Sequence, residues 1–263
     1  MSPAVSATTL GVRRCTRFVA WVRAWRAGLV PYDEVAEEIA AGEEHLVADA
    51  PGAWTDVSLR DALAALSKLH PDEVRLVLPA PGDPRGLPGP GTPFTGAALL
   101  AGEGVLAGPY GFVPEVRTHT SGSGDTFSTV LWRCLPLPGT ALTRTSEPSS
   151  AEAESELALA LAEATAAITR LDVARWRPEL SGALAALRRR DDGCDLPPGY
   201  DQRARRLYAR ASMLDRVLAL AEQSAPGGAV NTYEAQRRDA ALRPLMTACR
   251  RALVAACNAP LAA

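Results

Sequence analysis

An α+β fold is predicted by three features of this 263-residue chain. Runs with strand character are confined to its first half. The stretch from Glu147 onward carries only helical periodicities. Between Val74-Arg75-Leu76-Val77-Leu78, a short apolar run suited to a buried strand, and the next helical segment lies a connection in which nine of thirteen residues (79–91) are Pro or Gly. Prolines fix φ and remove backbone donors while glycines admit positive φ, so this connection is neither helix nor central strand. The expected architecture is N-terminal helices around a small, mainly antiparallel sheet, followed by a C-terminal helical bundle. The boundary is drawn as 1–140, an α+β region containing loop 79–92, and 141–263, all helical. Whether the two halves share one core is left open.

The elements follow in order. Residues 16–27 read as a helix carrying Phe18, Val19, Trp21, Val22 and Trp25 between arginines, and 32–41 as an acidic helix ended by Gly42. Ser58 with Asp61 three positions on resembles an N-terminal cap for a helix over 59–69, striped by Leu59, Leu63 and Leu66. The strand at 74–78 leads into the Pro/Gly loop. Thr92 is then an N-cap with Pro93 at the first helical position, and the helix 93–101 ends at Gly102. Strand-like runs at 104–107, 112–120 and 126–135 follow, the last two joined by a turn at Ser121-Gly122-Ser123-Gly124-Asp125. A sheet of three or four strands is expected.

Past Pro136 the pattern changes. Ser149 and Glu152 fit a capping box. Leu157, Leu161, Ala164, Ile168 and Leu171 recur at helical steps, as do Leu180, Leu184 and Leu187. Ala204, Leu207, Ala211, Leu214, Leu218 and Ala221 continue the theme. Asn231 and Glu234 fit another capping box, opening a helix that Pro244 is expected to kink or break.

A formal charge of -2 provides no global field for polyanions, which argues against a dedicated nucleic-acid binder. One lysine, Lys68, against 27 arginines among 28 basic residues reads as codon bias, so arginine clusters are discounted. The five cysteines form no C-x-x-C pair, which suggests reduced thiols and neither zinc nor a disulfide framework. No secretory leader and no membrane-length apolar run are visible. The expectation is a cytoplasmic protein without membrane, metal or cofactor.

The loop is the foremost candidate site. It leaves a strand and closes at a helix N-terminus, where backbone amides and the helix dipole favour anions. Asp83 and Arg85 would fix a polar ligand, with the amides of Gly86 and Leu87 as a nest. Against this, the prolines delete donors, and the loop lacks both the Walker A ending and the dinucleotide spacing. A shaped structural crossover and a mobile linker are the other two readings. His119, in the hairpin, is the best single candidate for proton transfer. Ser, His and Asp along that same hairpin do not make a triad, because triads depend on geometry that residues so close in sequence rarely reach.

His45 and His70 read as polar residues at helix ends or loops. The carboxylates of Asp33, Glu34, Glu37 and Glu38 read as a solvated helix face. Arg188 to Arg190, with Arg203, Arg206 and Arg210, read as wet helix surface. Trp21 and Trp25 would anchor their helix on the sheet or bundle, or form a protein interface.

The run Gly82-Asp83-Pro84-Arg85-Gly86-Leu87-Pro88-Gly89-Pro90-Gly91, with the arginine-for-lysine bias, resembles uncharacterised proteins of high-GC bacteria. That resemblance implies no activity and supplies no catalytic residues. Two functions are carried forward. One is a non-enzymatic binding or scaffold protein using the rigid loop and helical faces toward a protein partner or a second copy. The other is an enzyme or small-molecule sensor whose polar-ligand pocket lies beneath loop 79–92, with His119 convergent on it.

Overall fold

The computed structural model describes residues 13–122, 124, 126–139, 147–170, 196–223 and 232–262. Among these the chain forms seven α-helices and a six-stranded mixed sheet, an α+β fold. The elements are α1 (Arg14–Arg26), α2 (Tyr32–Ala40), β1 (Glu44–Ala48), β2 (Val57–Ser58), α3 (Leu59–Ala64), β3 (Val74–Val77), α4 (Pro93–Ala101), β4 (Gly104–Ala107), β5 (Tyr110–Thr120), β6 (Thr126–Pro136), α5 (Ser150–Arg170), α6 (Gln202–Gln223) and α7 (Thr232–Cys257). They divide into two units. The sheet unit comprises Arg13–Glu147, Leu196–Asp201 and Cys257–Ala263; the described part of the helical unit is 148–170, 202–223 and 232–256.

In the sheet unit the strand order is β2-β1-β6-β5-β4-β3. Every pairing is antiparallel except β1 with β6, which runs parallel from Glu44↔Thr129 to Ala48↔Arg133. Side chains alternate between faces along each strand. On one face lie Val105, Phe112, Trp132, Cys134, His45 and Val47, covered by α1. Phe18 of α1 packs between Phe112 and Trp132, with ring centroids 5.5 and 5.0 Å away. The opposite face gathers Val77, Leu106, Val113 and Leu135 under Phe94 and Ala98 of α4.

Phe94 is fully buried because two neighbouring strands put glycines beneath it. A Cβ on Gly111 would stand 2.2 Å from its ring, and one on Gly104 2.9 Å. Glycine here makes room for a large ring and adds no conformational licence of its own. The helix is started by Thr92, whose Oγ1 accepts from the Thr95 amide at 3.1 Å, as the sequence pattern predicts. Ser58 caps α3 in the same way, accepting from Asp61 N at 3.1 Å.

Four expectations change. The sheet has six strands, not three or four. The helix read over 59–69 ends at Ala64 and continues as i→i+3 turns through Leu69, the tighter geometry that often closes a helix. His45 is neither at a helix end nor in a loop: it is a buried residue of β1. Trp21 and Trp25 are half-buried, and the ring of Trp25 rests on Tyr32 of α2 at 5.1 Å; Phe18, Val19 and Val22 bury α1.

β3 is an edge strand, and an open edge is a template for unwanted pairing. Here a side chain closes it. Asn258 Oδ1 accepts from Leu76 N at 2.8 Å while its Nδ2 donates to Leu76 O at 3.1 Å and to Glu147 at 3.0 Å. The carboxamide imitates the neighbouring strand. Buried Arg23 of α1 holds the same tail by donating to Ala259 O at 2.9 Å, and the hydroxyl of Tyr200 donates to Cys257 O at 2.8 Å.

In the helical unit, the Ser149–Glu152 capping box forms: Glu152 N donates to Ser149 Oγ at 3.2 Å and Ser149 N to Glu152 Oε2 at 2.8 Å. α5 buries Ala153, Leu157, Ala160 and Ala164. α6 buries Ala204, Leu207, Tyr208, Ala211 and Leu218, and α7 buries Leu245, Ala248, Cys249, Ala252 and Leu253. Pro244 lies inside α7, which continues through it to Cys257. The apolar steps Leu180, Leu184 and Leu187, the arginines 188–190 and the Asn231–Glu234 pair lie outside the described side chains.

Candidate functional site

The residues of loop 79–92 are held by their own chemistry. Ala80 and Asp83 exchange two backbone bonds across Pro81-Gly82, at 3.1 and 2.8 Å, and Leu87 N donates to Pro84 O at 3.2 Å, closing a second turn. Gly86 takes φ +82°, and a Cβ there would come within 2.9 Å of Val77; no other residue adopts that conformation readily. The Leu87 side chain packs against the cluster around Val77 and Phe94. Thr95 Oγ1 donates to Gly89 O at 2.6 Å, tying the end of the loop to α4.

The polar residues of the loop face one another. Arg85 donates to both carboxylate oxygens of Asp83, at 2.7 and 2.8 Å. The fork–fork geometry is the one that guanidinium and carboxylate prefer. The Leu87 amide, proposed as half of an anion nest, is already engaged with Pro84 O. His119 sits elsewhere. It lies seven positions along β5 from Phe112, the residue level with Leu76 of β3 through Val105, a span of roughly 23 Å. Its ring stacks on Phe127 at 5.0 Å and its Nε2 meets Thr129 Oγ1 at 3.0 Å, both on its own hairpin. Asp83, Arg85, Gly86 and Leu87 are therefore together by being consecutive, and His119 has its contacts on the hairpin.

A second polar cluster escaped the sequence reading. Trp132 Nε1 donates to His45 Nδ1 at 3.1 Å, so the ring proton stands on Nε2, 3.5 Å from Glu43. Arg14 grips Glu43 with bonds of 2.9 and 2.6 Å. Burial pushes the Glu43 carboxyl up, but His45 and Arg14 outweigh it and hold it at about 2. Nearby, the Cys15 amide near the start of α1 donates to buried Glu103 at 2.9 Å. Burial raises Glu103, and burial with the adjacent Glu103 raises the Cys15 thiol well above its usual range. A buried thiol so protonated is a poor nucleophile. These groups fasten α1 to the sheet. The described cysteines 15, 134, 249 and 257 are buried thiols outside any disulfide.

The helical unit holds a concave surface of different character. α5 and α7 run antiparallel, with Arg251 paired to Glu156 at one end. Along their seam lie two adjoining open cavities of about 440 and 500 Å3 that share Ala240. Ala160, Ala240, Pro244 and Ala248 form an apolar floor, with Leu159 62% exposed at the rim. The charged lining is Glu156, Glu163, Arg170, Arg237, Arg243 and Arg251. In a regular helix the amide of residue 244 would bond the carbonyl of residue 240, and Pro244 has none to give. The sequence offered one signal, a proline inside an otherwise periodic helix. That α5 and α7 line one groove was not visible there.

The sheet unit pairs Asp83 with Arg85 and Glu43 with Arg14, and the helical unit carries an arginine-rimmed groove lined by α5 and α7. The chain belongs to the Rv1486c-like protein family: the family's N-terminal domain model matches residues 15–148 and its C-terminal domain model residues 151–254. It is 28% identical over 277 residues to the uncharacterized protein Rv1486c of Mycobacterium tuberculosis strain H37Rv, which covers 92% of this chain and 94% of that protein. The uncharacterized protein MT1533 of strain CDC 1551 is similar to the same extent, 28%. The expected kinship with uncharacterised proteins of high-GC bacteria thus stands at the level of the family. No solved structure matches the chain. No helix of the described residues is long and apolar enough to cross a membrane.

Proposed function

We propose that this chain is a non-enzymatic binding protein that acts through its helical faces, with the α5–α7 groove as its principal seat. The observation that carries the reading is the lining of that groove: alanines, a proline and an exposed leucine framed by arginines and glutamates, with one hydroxyl, that of Thr247, which accepts from Arg250 at 3.3 Å, and no histidine, cysteine or serine among the described lining residues. Such a surface supplies complementarity without a neutral-pH base to activate its one hydroxyl. Loop 79–92 contributes a stiff exposed knob whose Asp83–Arg85 pair is a contact feature of the same binding protein.

The test is site-specific photocrosslinking in the full chain, with the reactive residue placed at Leu159 in the groove and at Arg85 in the loop. Crosslinks to a polypeptide from position 159 that Arg243→Glu abolishes are the expected result. Silence at position 159, together with a small molecule that raises the melting temperature of wild type but not of Arg85→Ala, would replace this reading with the pocket beneath the loop.

A further inference from the structure

We infer that the occupant of the α5–α7 groove is an acidic amphipathic helix supplied by another polypeptide; this rests on the reading of the groove as a binding seat. Length comes first. The lining runs from Glu156 to Arg170 on α5 and back from Arg251 to Arg237 on α7, about 21 Å, or roughly four helical turns. Shape comes next. The seam is open along one side, so an acyl chain laid in it would leave much of its surface in water. A helix suits that shape, because it sets one apolar stripe on the floor and shows its polar face to solvent. Alanines on the floor let a third backbone approach to the close end of ordinary helix spacing.

Charge decides the kind of helix. Among the described lining residues four arginines stand against two glutamates, and Arg251 is paired with Glu156. Arg170 and Arg243 stand away from that pair, and there carboxylates flanking the stripe would be drawn and lysines repelled. Recognition would thus read an apolar i, i+3/i+4, i+7 stripe with acidic flanks.

The experiment selects helix-length peptides from a displayed library, with stripe and flanks randomised, on the full-length protein. A synthetic copy of the winning sequence is then measured by fluorescence anisotropy. Selected sequences should carry helical apolar spacing with Asp or Glu on the flanks. Their affinity should fall about tenfold or more with Arg243→Glu or Leu159→Asp, stay near wild type with Arg243→Lys, and weaken as salt rises. Circular dichroism melts of the variants report whether the fold is kept. A basic, neutral or extended consensus, no selection above background, or equal binding to Arg243→Glu would each overturn the inference. The photocrosslink at Leu159 separates the two levels. A crosslinked foreign polypeptide that acidic helices do not displace sinks the inference and leaves the binding reading. A crosslink between two copies of this chain sinks it in favour of self-association, and no crosslink at all removes both.

Discussion

Glu43 sits between Arg14 and His45 with its carboxyl held down at about 2 from an ordinary 4.5. A lowered carboxylate stabilises the fold when ionised. Its contribution is complete above its unfolded value and disappears as pH falls through the folded one. The full shift would correspond to about 3 kcal/mol, and partial solvent access reduces this to roughly 1–2 kcal/mol. Glu43→Gln is expected to lower stability by that amount at neutral pH. Denaturant melts should show the gap to wild type closing between about pH 4.5 and 2. At the other residue of note, Gly111→Ala thrusts a methyl into the Phe94 ring and should cost about 1–3 kcal/mol by overpacking. Phe94→Leu in the same chain should recover part of that loss, a coupling that a double-mutant cycle reads directly.

At the scale of elements, the edge of β3 and the loop after it carry the clearest expectations. Asn258→Ala leaves both the amide and the carbonyl of Leu76 without their side-chain partner. The expected loss is about 1–3 kcal/mol, accompanied by concentration-dependent association in sedimentation, since the bared edge can pair with another chain. In the loop, Arg85→Ala breaks an ion pair whose arginine is 56% exposed and should change stability by less than about 1 kcal/mol. Leu87→Ala withdraws a side chain from the cluster under α4 and should cost about 1–2 kcal/mol, less than a full core truncation because Leu87 is half-buried. A larger effect from Arg85 than from Leu87 in parallel thermal melts would mean that the loop is held by its charges and not by its core contact.

For the molecule as a whole, the sheet unit is discontinuous in sequence. Its N-terminal portion is completed by 196–201 and by the tail after α7. The tail provides Asn258 for the β3 edge and the Ala259 carbonyl for buried Arg23. Without them Arg23 would be left as a buried cation short of acceptors, a strongly destabilising condition. A fragment spanning 13–147 is therefore expected to melt lower and bind hydrophobic dye more than the intact protein. Equal melting temperatures would show that the tail is dispensable.

Local chemistry was legible from the residues alone. Thr92, Ser58 and the Ser149–Glu152 box cap the helices they precede, because a cap is settled by groups within three positions of one another. The long antiparallel hairpin β5–β6 was equally visible, since its strands and turn are contiguous. β1 was not. It is five residues long, opens with Glu44 and His45, and becomes a strand only by lying parallel to β6; His45 meets Trp132 across 87 positions. Among the candidate site residues, the sequence placed Asp83, Arg85, Gly86 and Leu87 on one loop, but whether their polar groups faced outward or each other depended on turn closure. By itself, then, the sequence determined the α+β class, the helix starts and the exclusion of helix and central strand from the loop, all set by short-range sterics and hydrogen bonding. Tertiary structure alone decided the sixfold sheet, the sealing of its edge by Asn258 and the groove between α5 and α7, because each joins groups far apart in the chain whose attraction exists only once the intervening residues have folded.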